Sequence, residues 1–440
     1  MWKSDNLFSA MLPILLISKF VGLAPFSFPS SMKRDTGNLI EINTFKTLIC
    51  DITYSVAVLI LYIVTFPFFI MWKISKMYST FGDRSITFII IDCLSVSLQF
   101  MTSFLSICEI VLRNRQIIRQ TVLEMCQIDV LLEINSTTRV YRKTGVILLV
   151  QVLFWCAALG ILYHFDYELW YKGKDILSGL SKYETNSIRL VMVVQFVNFV
   201  HFIKNSFKTI NLEIVKAFGF CDEMELDDYL LQSSQWYLMK SKNAKLTKYR
   251  HANLSMPHLK YSDFRKESLR RQSMCSRIHV LRDVHFRLNH IATMINSVYQ
   301  VPILFEVMAV LTIIALKFHL GLVTIFFENV TSSPMTLFLS LNFWWIVLHL
   351  SKLILIVVSC QYATRHSART ALVVQKVALM KPLDPNTLFE LQLFSQQLLH
   401  HNLAFSPCGF FTLNHCFLSS CLESLVTYII ILLQFTHAKK

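Results

Sequence analysis

Residues 52–72 read ITYSVAVLILYIVTFPFFIMW, with no Asp, Glu, Lys or Arg between Ile52 and Trp72. A run of this length matches the ~20 apolar residues that a helix needs to cross a bilayer core. In lipid the backbone must satisfy its own hydrogen bonds, so the run is read as helix. Working outward from it, comparable runs stand at 86–107, 145–163, 188–210, 298–327, 336–358 and 410–435. The chain is therefore expected to be an all-α polytopic membrane protein with seven transmembrane helices.

Composition agrees with that reading. Hydrophobic residues make up 54% of the 440, charged residues only 16%, and mean hydropathy is +0.49, whereas soluble domains carry about 25% charged residues. The net charge of +14 does not point to nucleic acid, because the basic residues lie between apolar runs and no nucleic-acid-binding motif accompanies them. They report topology instead. The segments 1–51, 108–144, 204–297 and 361–409 hold thirty-one Lys and Arg, against eight in 73–85, 165–187, 328–335 and the tail after Phe435. By the positive-inside rule the amino terminus is cytoplasmic and, after seven spans, the carboxyl terminus is outside. None of the eleven cysteines falls in the three short outer segments, so no disulfide staples those loops.

The expected organisation is a cytoplasmic segment 1–51 with a membrane-surface helix, six spans over 52–358, a cytoplasmic helical linker 359–409, and a seventh helix with a short external tail over 410–440. Pro13 and Lys19 cut the apolar stretch 7–28, which reads as a helix along the membrane face rather than a signal peptide. The fourth span is interrupted by Arg189, Gln195, Asn198 and His201, so neighbouring helices must shelter it. The fifth is overlong and carries Glu306, Lys317 and His319. The loop 204–297 reads as solvated and partly disordered, with an acidic patch from Asp222 to Asp228 and a basic stretch from Lys240 to Arg287.

The last span sorts its residues by face. Advancing about 100° per residue from Ser420, Ser424 falls near +40°, Thr427 −20°, Ile431 +20°, Gln434 −40° and Glu423 −60°, with Leu422, Leu425, Val426, Ile429 and Leu433 opposite. Such a polar stripe either lines water or packs on other helices through hydrogen bonds, and composition does not separate the two.

The end of that span, Thr427-Tyr428-Ile-Ile-Ile-Leu-Leu-Gln434-Phe435, resembles the TYhhhhhQF signature of insect gustatory receptors, where h is hydrophobic. The stretch HHNLAFSPCGFF from His400 to Phe411 is similar to the family's lead-in to its last helix, and Asn296-Ser-Val-Tyr299 and Gly22-Leu-Ala-Pro-Phe26 look like family motifs too. The resemblance implies a plasma-membrane, ligand-gated, non-selective cation channel, a homo- or hetero-tetramer with other receptor subunits, needing no cofactor. It also implies that the last helix lines the pore, with Gln434 and Phe435 at the outer constriction, Ile431 and Thr427 below them, and Ser424 and Ser420 deeper. The orientation is the inverse of a G-protein-coupled receptor. Sugar-sensing members often place an acidic residue directly after the Thr-Tyr pair; Ile429 stands there in this chain, which points to a bitter-type or other non-sugar tastant.

The resemblance further implies a ligand pocket among the second to sixth helices. Candidates there are Asp92, Gln99, Trp155, Tyr163, His164, Gln195, His319, Asn342, Trp344 and Trp345. Aromatic walls with a few polar groups suit a small molecule. The aromatic residues also fit interfacial anchoring, and Gln99 and Gln195 fit structural hydrogen bonds. Asp92 reads as functional because a buried carboxylate is costly. A transporter would show paired repeats and a membrane enzyme would place metal ligands at recurrent spacing; the sequence has neither feature.

Overall fold

A computed structural model describes residues 7–23, 45–81, 86–132, 138–168, 176–222, 224, 226, 261–327, 333–379, 383–400 and 402–437. In chain order the helices are α1 (Leu7–Phe20), α2 (Phe45–Phe81), α3 (Ile86–Ile107), α4 (Arg115–Leu131), α5 (Thr138–Asp166), α6 (Ile176–Ala217), α7 (Tyr261–Phe327), α8 (Ser333–Ala378), α9 (Pro385–His400) and α10 (His415–His437). No strand occurs among the described residues. Among the described residues six helices, α2, α3, α5, α6, α7 and α8, are long and apolar enough to cross a bilayer, and α10 carries a shorter apolar stretch, His415–Ile431. At 1.5 Å per residue the 23 residues of α10 rise about 34 Å, enough for a hydrocarbon core of about 30 Å.

Burial separates lipid-facing helices from the central one. In α2 and α5 only 28% of the most apolar window is buried, whereas in α6 the figure is 78%. Ile60, Leu61, Val64 and Phe68 on α2 and Val146, Val150, Leu153 and Phe154 on α5 are exposed. Rows of exposed aliphatic side chains on hydrogen-bonded helices are stable in lipid, not in water. The chain is a multi-pass membrane protein. α6 is enclosed by α2, α3, α7 and α8, which provides the shelter that the interrupted fourth span demanded: Arg189, Gln195 and Asn198 are buried, and His201 alone of the four is exposed.

Several boundaries differ from the sequence reading for a common reason. Hydropathy detects the part of a helix that touches lipid and misses its polar continuation. α6 extends the span 188–210 to 42 residues, and α7 extends 298–327 upstream to 67 residues, about 100 Å at 1.5 Å per residue. The segment 204–297, read as a loop, is thus helical at both ends. The glycosylation sequons Asn135-Ser-Thr137, Asn253-Leu-Ser255 and Asn329-Val-Thr331 lie outside the described residues, as do Glu223, Glu225 and residues 227–260. The last helix begins at His415, not at 410, because Cys408 and Gly409 take positive φ and hold the chain in a turn.

α1 packs on α5, α6 and α4 with Met11, Ile14 and Leu15 buried, while Phe20 stays exposed. It ends in a glycine cap: Leu23 N–H donates to Ser18 O at 2.7 Å and Gly22 N–H to Lys19 O at 3.0 Å. Gly22 has φ +81°, and the missing Cβ would meet Val58 at 3.4 Å. Only glycine takes that backbone without strain. Residues 24–26 of the Gly22 motif lie outside the described residues.

Candidate functional site

α6 presents Lys182, Thr185, Asn186 and Arg189 at spacings of three, one and three, which places them on one helical face. α8 presents Trp345, His349 and Lys352 at four and three. Where these faces meet, a cavity of about 90 Å³ opens, walled by Phe66 and Phe69 of α2, Ser95, Val96 and Gln99 of α3, Lys182, Thr185 and Asn186 of α6, Ile313, Leu316 and Lys317 of α7, and Trp345 and His349 of α8. Five helices contribute. Its volume lies below the roughly 300–1,000 Å³ of drug-sized pockets.

The walls carry polar groups in an apolar setting. Lys182 pairs with buried Asp166 at the end of α5 and stands 5.4 Å from the Trp345 ring centroid, a cation–π distance. His349 stacks on Trp345 at 5.7 Å. At the α2–α3–α6 junction, Thr185 Oγ1 donates to Tyr62 Oη at 3.1 Å, Ser103 Oγ donates to Thr185 O at 3.1 Å, and Tyr62 and Phe66 lie on Phe100 at 4.7 and 3.7 Å. Among the described residues, three buried atoms on the cavity wall have no hydrogen-bond partner: Asn186 Oδ1, Trp345 Nε1 and His349 Nδ1. Unmet buried polar atoms in a cavity call for a ligand or ordered water.

One turn from that wall lies a buried charge cluster. Arg189 Nε donates to Glu306 Oε2 at 2.6 Å and Lys352 Nζ to Glu306 Oε1 at 2.9 Å, and no side chain of the three exceeds 2% exposure. It ties α6, α7 and α8 together through one carboxylate. Between helices in lipid there is no hydrophobic drive, so such polar ties and close packing set the arrangement.

Of the sequence candidates, Gln99 and Trp345 share the cavity. The other described candidates do not line it. Tyr163 Oη donates to Tyr183 O at 3.0 Å and its ring lies 6.2 Å from Trp345. Asn342 is buried and donates to Phe338 O within α8 at 3.0 Å. Gln195 is buried with its amide unpartnered, Trp155 and His319 are half-buried, and His164 and Trp344 are exposed. The Asp92 side chain lies outside the described residues. Sequence reasoning missed Lys182, Asn186, His349 and Lys352. Their helical spacing was the available signal, but 165–187 read as an outer loop, so the α6 face was never drawn.

α10 packs on α7 and α8 through Cys421 and Leu425, both buried. Ser420, Glu423, Ser424, Thr427, Ile431 and Gln434 are exposed, turned away from the chain's own bundle. Val426, grouped with Leu425 by the helical wheel, is 57% exposed. Ser424 Oγ donates to Ser420 O at 2.9 Å and Thr427 Oγ1 to Glu423 O at 3.0 Å. These hydroxyls are satisfied by their own helix and need no packing partner. The Phe435 side chain lies outside the described residues.

Two of the family-like strings meet in space. Asn296 Nδ2 donates to Ser406 O at 3.2 Å and Ser406 N–H returns to Asn296 Oδ1 at 3.0 Å, across 110 residues. Tyr299 and Phe405 both pack on Phe196, at 5.4 and 6.2 Å. Ser406 Oγ also donates to Phe411 O at 2.8 Å, and Phe411 stacks on Phe417 at 4.1 Å. The turn leading into α10 is thereby fixed to α7.

A lipid-embedded helical bundle, with a polar cavity among five helices and a polar-faced terminal helix outside it, defines a multi-pass membrane receptor. The model of the 7tm chemosensory receptor family matches residues 11–438, and the chain belongs to that family, whose members are ligand-gated cation channels rather than enzymes. It is 28% identical over 156 residues, 35% of each chain, to "Gustatory receptor for sugar taste 43a" of Drosophila melanogaster. Thus the alignment spans about a third of that relative. The fold is similar to olfactory receptor OR5 of Machilis hrabei, solved with eugenol (TM-score 0.60, 13% identity, 98% of both chains) and alone (0.60, 14%, 97% of both).

Proposed function

We propose that this chain is a subunit of a tetrameric, ligand-gated, non-selective cation channel in the plasma membrane, opened by a small non-sugar tastant. The observation that carries the reading is the cavity walled by α2, α3, α6, α7 and α8, with unpartnered polar atoms on Asn186, Trp345 and His349. α10 supplies the pore wall: its Ser420–Gln434 stripe faces away from its own bundle, as a helix around a central axis requires. The charge count supports a cytoplasmic amino terminus, which puts Lys182 and the cavity toward the outside, within reach of external ligands.

The cavity volume, about 90 Å³, and Ile429 after the Thr-Tyr pair favour a compact non-sugar ligand over a disaccharide. A second reading, a sugar ligand, draws support from the sugar-taste relative and from the polar cavity wall. Currents or calcium signals from the expressed chain, challenged with bitter compounds and sugars, decide between them. Trp345→Ala is expected to raise the half-activating concentration about tenfold or more, the effect of about 1.4 kcal/mol. Responses to sucrose or trehalose with none to alkaloids reverse the ligand class. Unchanged agonist sensitivity after both Trp345→Ala and Asn186→Ala removes the cavity from ligand binding.

A further inference from the structure

α6 and α8, which frame the cavity, carry a second feature at their other end. From Lys182 to Val200 no residue of α6 is exposed, and the helix first turns exposed side chains outward at His201, Asn205 and Lys208. Lys204 stands 22 residues beyond Lys182, about 33 Å at 1.5 Å per residue and so just past a hydrocarbon core of about 30 Å. α8 brings Tyr362, Arg365 and Arg369, spaced three and four, to the same level, and all three are exposed. Asn211 Nδ2 donates to His366 O at 3.0 Å, which sets the two helices in register there. Lys204 Nζ lies 5.6 Å from the Tyr362 ring centroid, a cation–π distance. Half-buried His366 feels Lys204, Arg369, Lys208 and Arg365 together, so the four cations form one patch.

The helices that carry this patch do not answer its charge. No Asp or Glu occurs between Glu184 and Glu213 on α6, nor anywhere in Ser333–Ala378, and Glu213 itself pairs with Lys216 and Arg277. Among the described residues Lys204, Lys208 and Arg365 form no ion pair. Gathered like charges raise the local potential and favour an anion. The planar arginine fork matches phosphate oxygens, and lysine adds a point charge. The surroundings suit a lipid better than a free ion. Phe343, Val347 and Ile354 are exposed, and at about 100° per residue they fall within about 40° of Arg365 on the α8 wheel. An exposed apolar stripe thus runs along α8 and ends on the basic patch, as acyl chains and a headgroup would lie. Tyr362, 43% exposed, stands at the junction, where interfacial aromatics sit.

We propose that the patch of Lys204, Lys208, Arg365 and Arg369 docks a cytoplasmic-leaflet phospholipid whose headgroup carries several phosphates, with its acyl chains along the exposed face of α8. Its leaflet rests on the cytoplasmic amino terminus. Purified full-length chain in detergent, where both ends of the bundle are accessible, is titrated with short-chain phosphatidylcholine, phosphatidylserine and phosphatidylinositol bisphosphate, and with soluble inositol trisphosphate. The bisphosphate lipid is expected to bind about tenfold or more tightly than phosphatidylserine. The double change Lys208→Gln with Arg365→Gln should weaken it about tenfold or more, whereas Lys208→Arg with Arg365→Lys should retain most of the affinity. Both positions are exposed, so the neutral variant should melt with the unaltered protein when no lipid is added; if it melts lower, the headgroup comparison on the unaltered chain decides. Equal affinity for the three lipids overturns the proposal, as does full affinity in a stable neutral variant. Inositol trisphosphate binding as tightly as the lipid makes the ligand a free phosphate and overturns the lipid assignment. If the neutral variant loses its oligomer on size exclusion but keeps lipid affinity, the patch is a subunit contact and the proposal falls. Lipid binding as expected together with glycan on Asn135 or Asn253 leaves the docking site standing and reverses only its leaflet.

Discussion

Replacing Glu306 with Gln should destabilise the bundle more than any other single polar substitution in the spans. The carboxylate meets Arg189 at 2.6 Å and Lys352 at 2.9 Å, and at an effective dielectric of about 20 each contact is worth about 6 kcal/mol of Coulomb energy. Burying the carboxylate costs several kcal/mol, and so does burying each cation, so the net worth of the cluster is far smaller. The substitution, however, leaves the cations buried without their counter-charge. That puts the expected loss at about 3–5 kcal/mol. Fluorescence-detected size exclusion of detergent-solubilised protein after a heating series measures it, with surface labelling as a second readout. Glu306→Gln should melt well below the unaltered protein and reach the surface poorly. The triple change Arg189→Met, Glu306→Leu and Lys352→Met should recover most of the loss, because apolar groups of similar size need no counter-charge. A Glu306→Gln protein as stable as the original, or a triple variant no better than the single one, refutes the assignment of the cluster as the tie between α6, α7 and α8.

Asn296→Ala removes both hydrogen bonds to Ser406 and should cost about 1–3 kcal/mol, the range for a partly buried polar group left unpaired; a melting shift with unchanged agonist rank order is the expected result. Gln434→Glu would place up to four carboxylates in one ring of a tetramer and should change calcium permeability or block, read as a shift in reversal potential; unchanged permeability ratios would remove α10 from the pore. In cysteine accessibility, Ser420→Cys should react with water-soluble reagents and Leu425→Cys should not, since Leu425 packs inward and Ser420 is exposed. Asn329 should be the external glycan acceptor of the three sequons, whereas sugar on Asn135 or Asn253 of inserted protein would invert the orientation.

The helical, membrane-spanning character of the chain was legible in single stretches such as 52–72, because lipid imposes a one-dimensional rule: about twenty apolar residues and a self-satisfied backbone. The need to shelter the fourth span was legible for the same reason, from Arg189 and Gln195 in an apolar run. The lengths of α6 and α7 were not, since a helix that leaves the bilayer changes composition without changing conformation. Gln99 and Trp345 were placed in the pocket on family resemblance, and they line one cavity. Tyr163, Asn342 and Trp155 came from the same reasoning and line none of it, because which side of a helix meets which neighbour depends on packing angles absent from the sequence. The pairing of Arg189 and Lys352 on Glu306, across 117 and 46 residues, likewise existed only once three helices stood together. Sequence determined which segments enter the membrane, for transfer into lipid is nearly additive residue by residue; tertiary structure alone decided which charges cancel and which donors stay open, since both depend on distances between groups far apart along the chain.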